Sequence, residues 1–139
     1  MAPRRALVIA LIAGLLALVA AGCGANTAPY TAAATVPCLK KKGFTGVTTD
    51  PNKVGFIAAF STHGGLFARA PGGGNNLTIA FAANAGGAAS TEKEFRRHAP
   101  PKLRPHLADV MSAQRNAVLV WTVSPSAQLL ADTIACLRS

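Results

Sequence analysis

Large and small side chains alternate along the segment NLTIAFAA, which begins at Asn76. In an extended chain Leu77, Ile79 and Phe81 point to one face, because successive side chains of a strand point to opposite faces. The run GLFARA precedes this segment, and the connection PGGGNN has the glycines and asparagines of a hairpin turn. We therefore predict two antiparallel strands whose large side chains form core and whose small side chains admit a second layer.

A second strongly apolar segment, NAVLVWTV, follows nearer the C-terminus. It is apolar on both faces, with Leu119 and Trp121 on one face and Val118 on the other. Strands that are buried on both faces lie inside a sheet, so this strand is predicted to be central. The segment FTGVTT is predicted as the first strand, and residues 54–60 and 107–113 fit either a strand or a short helix.

Three helices are predicted from their capping signals. The first is short and lies in PCLKKK, where Pro37 suits the first turn and Gly43 suits the stop. The second has Thr91 and Glu94 in the spacing of a capping box and ends before two prolines. Ser124 is predicted to cap the last helix. The apolar stripe of that helix consists of Leu129, Leu130, Ile134 and Leu137, with Cys136 at its edge.

Together these elements predict one α+β domain over residues 36–139. The order is helix, strands, helix, strand, helix. It predicts a small antiparallel or mixed sheet of four to five strands, with helices mainly on one face. The chain of 139 residues is long enough for one such domain and not for two.

The N-terminal part of the chain has the layout of an export signal. Arg4 and Arg5 precede an apolar run over residues 6–21, and small residues follow. This order is typical of signal peptides, so residues 1–22 are predicted to be a cleaved signal. A permanent single-pass anchor is the alternative, although the run falls short of the ~20 apolar residues that a spanning helix needs.

The residues Ala20, Ala21, Gly22 and Cys23 resemble the lipobox of bacterial lipoproteins. In that family, small residues admit the modifying enzymes and the cysteine thiol receives a diacylglycerol through a thioether. The resemblance implies a lipid anchor on Cys23 and a location at the extracytoplasmic face of the cell membrane. The third position before the cysteine is usually leucine or valine and is Ala20 here. Ordinary signal-peptidase cleavage after Ala21 is the alternative.

The count of three cysteines agrees with lipidation. An exported chain with an odd number of cysteines needs a reason for the unpaired thiol, and a lipid on Cys23 supplies it. Cys38 and Cys136 remain and can pair in an oxidising compartment. We therefore expect a structural disulfide between the first and last helices, because the pair lacks the Cys-x-x-Cys spacing of a redox site.

Residues 23–35 are predicted to be the lipidated cysteine and a flexible tether, because GANTAPYTAAAT has no charge and no apolar period. A flexible chain of that length reaches roughly 20 Å. Removal of the signal also removes Arg4 and Arg5, which lowers the net charge from +9 to about +7. A basic domain is thereby expected close to the lipid headgroups.

The densest positive charge lies in the segment KEFRRHAPPKLRPH, residues 93–106. An exported protein meets phospholipid headgroups and anionic envelope polymers rather than nucleic acid, so we expect this segment to contact an anionic lipid or polymer. A solvated surface that only keeps the protein soluble is the alternative. The candidate binding residues are Lys93, Arg96, Arg97, Lys102 and Arg104.

The segment STHGGLF offers an enzymatic alternative. The backbone of His-Gly-Gly is of a kind that forms an oxyanion hole, and Ser61, His63 and Asp50 are the candidate residues of a small extracytoplasmic hydrolase. The chain has no Gly-x-Ser-x-Gly motif, and a tight turn explains the two glycines more simply. We expect a non-enzymatic protein.

Neither a metal nor a cofactor is expected. The histidines His63, His98 and His106 lack the i, i+4 spacing of a zinc-binding helix. The glycine-rich run APGGGNN lacks the Gly-Lys-Ser/Thr ending of a phosphate-binding loop.

The segments CLKKKGF and ACLRS place a Cys-Leu pair near each end of the mature domain. This layout resembles small exported lipoproteins of high-GC bacteria that have a compact, Cys-stapled α+β fold. The resemblance adds support to the disulfide and implies no particular activity. We therefore expect a membrane-anchored envelope lipoprotein that acts as a non-enzymatic binding or structural module.

Overall fold

The computed structural model describes residues 28–139. The predicted signal peptide, the lipidation site Cys23 and residues 24–27 of the predicted tether lie outside the described residues. None of the helices in the described part of the chain is long and apolar enough to cross a membrane.

A five-stranded antiparallel sheet forms the centre of the domain. Its strands lie in the spatial order β1-β2-β3-β5-β4, and each neighbouring pair is antiparallel. Every residue of β5 is buried, which confirms that this strand lies inside the sheet. The strands are β1 (Thr45–Thr48), β2 (Gly65–Arg69), β3 (Asn76–Phe81), β4 (Met111–Gln114) and β5 (Ala117–Trp121).

The connection between β2 and β3 is the hairpin that the sequence predicts. Arg69 pairs with Asn76 at the base of this hairpin. Gly72, Gly73 and Gly74 at its tip all have positive φ values, which glycine adopts without steric cost.

Within residues 28–139, four α-helices pack around the sheet: α1 (Ala32–Lys41), α2 (Ala85–His98), α3 (Leu107–Val110) and α4 (Ala127–Leu137). The structure shows which conformation is adopted by each of the two segments that fitted either a strand or a helix. One forms a 3₁₀ helix over Phe56–Phe60. The other divides into α3 followed directly by β4, with a further 3₁₀ turn at Arg104–His106 before it.

One face of the sheet packs against α1 and α4. The large side chains of β3, among them Leu77 and Ile79, share a hydrophobic cluster with Leu39 of α1 and Leu137 of α4. A disulfide between Cys38 and Cys136 joins the two helices across 98 positions of sequence. The α+β class, the antiparallel sheet and the helix-linking disulfide are therefore confirmed.

The opposite face of the sheet packs against α2 and the 3₁₀ helix Phe56–Phe60. Ala80 of β3 lies in one hydrophobic cluster with Phe95 of α2. The small side chains let α2 approach closely, since a Cβ added at Gly87 would lie 3.0 Å from the Cβ of Ala82. Helices thus cover both faces of the sheet, which corrects the expectation that they lie mainly on one face. The reason is that β3 and β5 are apolar on both sides.

The first helix begins earlier than the sequence analysis predicts. The Oγ1 of Thr31 accepts a hydrogen bond of 3.2 Å from the N–H of Ala34 and so caps a helix that begins at Ala32. Tyr30 is buried as well. Residues 28–35 therefore belong to the domain, which corrects the tether prediction over that part of the chain.

The N-termini of α2 and α4 correct two further predictions. The side chain of Asn84 caps α2 by accepting a hydrogen bond of 2.9 Å from the N–H of Gly87. Thr91, the predicted cap, lies inside α2 and is buried, so the capping box is wrong. Ser126 rather than Ser124 caps α4.

Candidate functional site

The last turns of α2 carry three of the predicted basic residues. Lys93, Arg96 and Arg97 are exposed, whereas Phe95 between them is buried against the sheet. An amphipathic helix that turns its apolar stripe to the core leaves the opposite face in solvent. Cations also suit this end of the helix, because the macrodipole places partial negative charge there.

Two carboxylates of the same helix neutralise part of this charge. The Nη2 of Arg96 lies 2.6 Å from an Oε1 of Glu92, and the Nη1 of Arg97 lies 3.2 Å from an Oε1 of Glu94. Both are surface pairs, which contribute only ~0.3–0.5 kcal/mol each at such spacings on a helix. They orient the two guanidinium groups more than they stabilise the fold.

Arg104 joins this surface from the loop that follows α2. Its Nε donates to the carbonyl oxygen of Ala99 at 2.8 Å, and its Nη2 donates to the carbonyl oxygen of Arg97 at 3.5 Å. Both acceptors are neutral carbonyl groups, so they hold the guanidinium of Arg104 against the helix end without offsetting its positive charge. We call Lys93, Arg96, Arg97 and Arg104 the helix-end cations.

Lys102, the fifth predicted residue, is exposed in the loop that follows α2. It lines a cavity of about 460 Å³ together with Leu103, His106 and Val123, and none of the helix-end cations lines that cavity. Of the five predicted basic residues, Lys102 is therefore the one that lines a cavity. The other four are gathered at the end of α2.

A cluster of aromatic rings lies beside the helix-end cations. Phe56 stacks on Phe95 with ring centroids 5.0 Å apart, and Phe60 stacks on His98 at 5.5 Å. Phe56 and Phe60 meet edge to face at 5.9 Å. His98 directly follows Arg97 in α2, and consecutive helix residues point about 100° apart, so the aromatic cluster lies on the flank of the helix next to Arg97 rather than on the same face. Sequence reasoning missed this cluster, because its rings come from segments about 40 residues apart.

The 3₁₀ helix that carries two of these rings is bonded to α2. The hydroxyl of Thr91 donates a hydrogen bond of 3.0 Å to the carbonyl oxygen of Phe60. Thr91 is buried, so this bond is shielded from competing water. It holds the aromatic cluster at a defined position relative to the helix-end cations.

The candidate hydrolase residues are not assembled into a nucleophile and its base. The hydroxyl of Ser61 donates to the carbonyl oxygen of Phe81, and the Nδ1 of His63 lies 3.0 Å from the Oγ1 of Thr62. Asp50 accepts a hydrogen bond from a backbone N–H of its own turn, and this bond lowers the pKa of its carboxyl below the ordinary value. Each of the three groups is thus bonded to a structural neighbour.

The histidines occupy separate places in the domain. His63 lies in the turn before β2, His98 at the end of α2, and His106 in the cavity that Lys102 lines. Among residues 28–139, no three His, Cys, Asp or Glu side chains come close enough together to hold a metal ion.

The described chain begins beside the turn between β4 and β5. The guanidinium carbon of Arg115 lies 4.6 Å from the ring centroid of Tyr30, and its Nη2 donates to the carbonyl oxygen of Ala28 at 2.8 Å. Pro29 lines a small cavity of about 240 Å³ together with Asn84, the cap of α2. The chain therefore enters the domain at the end of α2 that is opposite to the helix-end cations.

Comparisons with protein-family models, with curated proteins and with solved structures find no match to this chain. What the structure defines is a disulfide-linked α+β domain with helices on both faces of an antiparallel sheet. Its most distinctive surface joins exposed cations to stacked aromatic rings.

Proposed function

We propose that this protein is a membrane-anchored envelope lipoprotein whose domain binds an anionic surface through the helix-end cations. The anchor in this proposal is a lipid on Cys23, and the lipobox in the sequence supports it. The observation that carries the binding role is the position of Arg104. It folds back on the end of α2 and adds a cation with neutral hydrogen-bond partners to the three on the helix.

The balance of charge at the helix end supports this role. Glu92 and Glu94 offset about two of the four helix-end cations. Among the carboxylates of residues 28–139, none lies within ion-pair distance of Lys93 or Arg104. A surface with a surplus of positive charge attracts anionic headgroups, and each Lys or Arg near such a surface contributes about 1 kcal/mol.

The test uses residues 24–139 produced without the lipid, because an acyl anchor would insert into any vesicle. Residues 28–139 contain both hydrophobic clusters and the disulfide, so the fold does not depend on the anchor. Binding is measured by co-sedimentation with phosphatidylcholine vesicles, with and without phosphatidylglycerol, over a range of salt concentrations. We expect binding only to the anionic vesicles, weakening as salt screens the charges.

The decisive variant is Lys93→Gln/Arg96→Gln/Arg97→Gln, which removes three helix-end cations. We expect it to lose about a hundredfold in affinity, given about 1 kcal/mol for each of the three charges. The matched control removes three exposed cations elsewhere on the domain, Lys40, Lys41 and Arg69, each replaced by Gln. Equal losses in the two variants would mean that only net charge matters, and the proposed site would be abandoned.

A further inference from the structure

We infer that the helix-end cations and the neighbouring aromatic cluster act as one membrane-contact surface, in which Phe56 and Phe60 enter the headgroup region of an anionic lipid bilayer. This inference rests on the proposed function and names its ligand. It assigns the site to an anionic phospholipid bilayer rather than to a soluble anionic polymer.

The exposure of Phe56 is the first observation behind this inference. Its side chain is 44% exposed, and within residues 28–139 the other large hydrophobic residue left exposed is Val123. The two differ in their surroundings, because Phe56 belongs to a group of stacked rings that includes His98, the residue that follows Arg97 in α2. Aromatic rings beside basic residues are typical of surfaces that rest in the interface of an anionic membrane.

The aromatic cluster is held in place before any ligand binds. Phe56 is stacked on Phe95, Phe60 is stacked on His98, and Thr91 bonds the backbone of Phe60. A surface whose side chains are already ordered loses less conformational entropy on binding. The cluster therefore presents its exposed ring edges beside the cations without rearrangement.

The position of the anchor is compatible with this contact. Cys23 lies five residues before Ala28, where the described chain begins, and so few residues span at most about 17 Å. The chain enters the domain beside the start of α2, as the cavity shared by Pro29 and Asn84 shows. The 14 residues of α2 extend about 21 Å from there to the helix-end cations.

If α2 lies parallel to the bilayer, the anchor at one end of the helix and the membrane-contact surface at the other can both reach the membrane. The N-terminal end of the helix then stays within reach of the lipid on Cys23. The C-terminal end brings Arg97, Phe56 and Phe60 to the headgroups. A soluble polyanion would engage the cations alone and would leave the exposed ring of Phe56 in water.

The test compares Phe56→Ser with Val123→Ser, each in residues 24–139 without lipid. Every variant is titrated with phosphatidylglycerol-containing vesicles and, separately, with soluble polyphosphate. Burial of the exposed part of a phenylalanine ring corresponds to about tenfold in affinity. We expect Phe56→Ser to lose about that factor on vesicles and nothing on polyphosphate, while Val123→Ser changes neither.

Each other result has a definite meaning. If Phe56→Ser binds vesicles as tightly as the parent chain, the inference is wrong and the proposed function stands. If the parent chain binds polyphosphate but not vesicles, the site belongs to a polymer and the bilayer is excluded. If Phe56→Ser weakens binding to both probes equally, Phe56 has no role specific to the bilayer and the inference is wrong. If the parent chain binds neither probe, the proposed function itself fails.

A second variant keeps the test valid if Phe56→Ser does not fold. Phe56→Trp preserves an aromatic ring and places an indole at the exposed position, while the native Trp121 is buried in the hydrophobic cluster on the other face of the sheet. We expect the emission of the new indole to shift to the blue on vesicle binding and to be quenched by brominated acyl chains. Vesicle binding without quenching would show that position 56 does not enter the bilayer, and this result would overturn the inference.

Discussion

The side-chain amide of Asn116 bonds both main-chain groups of Tyr30, a residue 86 positions earlier in the chain. Its Oδ1 accepts a hydrogen bond of 2.7 Å from the N–H of Tyr30, and its Nδ2 donates to the carbonyl oxygen of Tyr30 at 2.9 Å. The same Nδ2 also donates to the carbonyl oxygen of Ala82 at 2.9 Å. One buried side chain thus fastens the start of the described chain to the end of β3.

Replacing Asn116 by Ala is expected to lower the free energy of unfolding by about 2–3 kcal/mol, because it leaves buried backbone groups of Tyr30 and Ala82 without partners. Urea denaturation followed by circular dichroism measures this change. Asn52→Ala is the control, since the exposed amide of Asn52 bonds only Asp50 in its own turn. We expect about 0.5 kcal/mol or less for the control, and a comparable loss in both variants would contradict the assignment.

The disulfide between Cys38 and Cys136 is expected to contribute about 2–4 kcal/mol to stability, because it closes a long loop in the unfolded chain. The variant Cys38→Ala/Cys136→Ala should lose that amount in urea denaturation. Reduction of the parent protein, verified by a mass gain of two hydrogens, should produce the same loss. An unchanged denaturation midpoint after verified reduction would show that packing of α1 on α4 suffices without the bond.

The ion pair between Lys42 and Asp132 makes stability depend on pH. The Nζ of Lys42 lies 2.7 Å from the Oδ1 of Asp132 and so links the end of α1 to α4. This bond is the main cause that lowers the pKa of Asp132 below its ordinary value of 3.8, and Gln128 adds to the effect. A carboxyl with a lowered pKa in the folded state stabilises the protein above the pKa of the unfolded chain. That contribution disappears as the pH falls through the folded pKa.

We therefore expect Asp132→Asn to have a lower thermal midpoint than the parent at neutral pH, with the difference vanishing in acid below the folded pKa of Asp132. Lys42→Gln should show the same pH dependence, because it removes the other partner. Asp109→Asn is the control, since no basic group of residues 28–139 pairs with Asp109. A midpoint difference for Asp132→Asn that persists unchanged in acid would argue against the ion pair as its cause.

The two glycines of STHGGLF are required by the turn into β2, each for its own reason. Gly64 has a φ of +69°, in the left-handed region. A Cβ at Gly65 would lie only 2.6 Å from the carbonyl oxygen of Ile79 in the neighbouring strand. The turn explanation thus accounts for both glycines without any oxyanion hole.

Gly65→Ala is consequently expected to destabilise the domain by about 2–3 kcal/mol, through forced separation of β2 from β3. Gly73→Ala is the comparison, because a Cβ there meets no atom within 4 Å and only its φ of +74° opposes the substitution. We expect a loss of about 1 kcal/mol for Gly73→Ala. Thermal denaturation compares the stability losses of the two variants. A larger loss for Gly73→Ala than for Gly65→Ala would show that the contact between β2 and β3 at Gly65 is loose.

The strands could be predicted from the sequence because their signals are local. The alternation of Leu77, Ile79 and Phe81 repeats every two residues, and this period directly decides which side chains share a face. The three consecutive glycines at the hairpin tip are also a local signal, because the turn needs positive φ values at these neighbouring residues. The cysteine pairing was predicted from the count of cysteines, on the expectation that Cys23 carries a lipid, and the structure confirms the pair.

The helix starts were harder to predict, because several residues compete for each cap. Thr91 and Glu94 have the spacing of a capping box, yet Thr91 is buried inside α2 and bonds the carbonyl of Phe60. Asn84 caps α2 instead, because β3 ends at Phe81 and the chain must turn between the strand and the helix. Which hydroxyl or amide becomes the cap depends on where the preceding element ends, and this is a tertiary property.

The sequence by itself determined the α+β class, the strand segments and the excess of positive charge after Glu94, since periodicity and composition carry that information. Only the tertiary structure decided that Arg104 donates to the carbonyl oxygen of Arg97, that Lys102 lines a cavity and that Phe56 and Phe60 stack on side chains of α2. The reason is that contacts between distant segments depend on how helices and sheet pack together. No local pattern of residues encodes that packing.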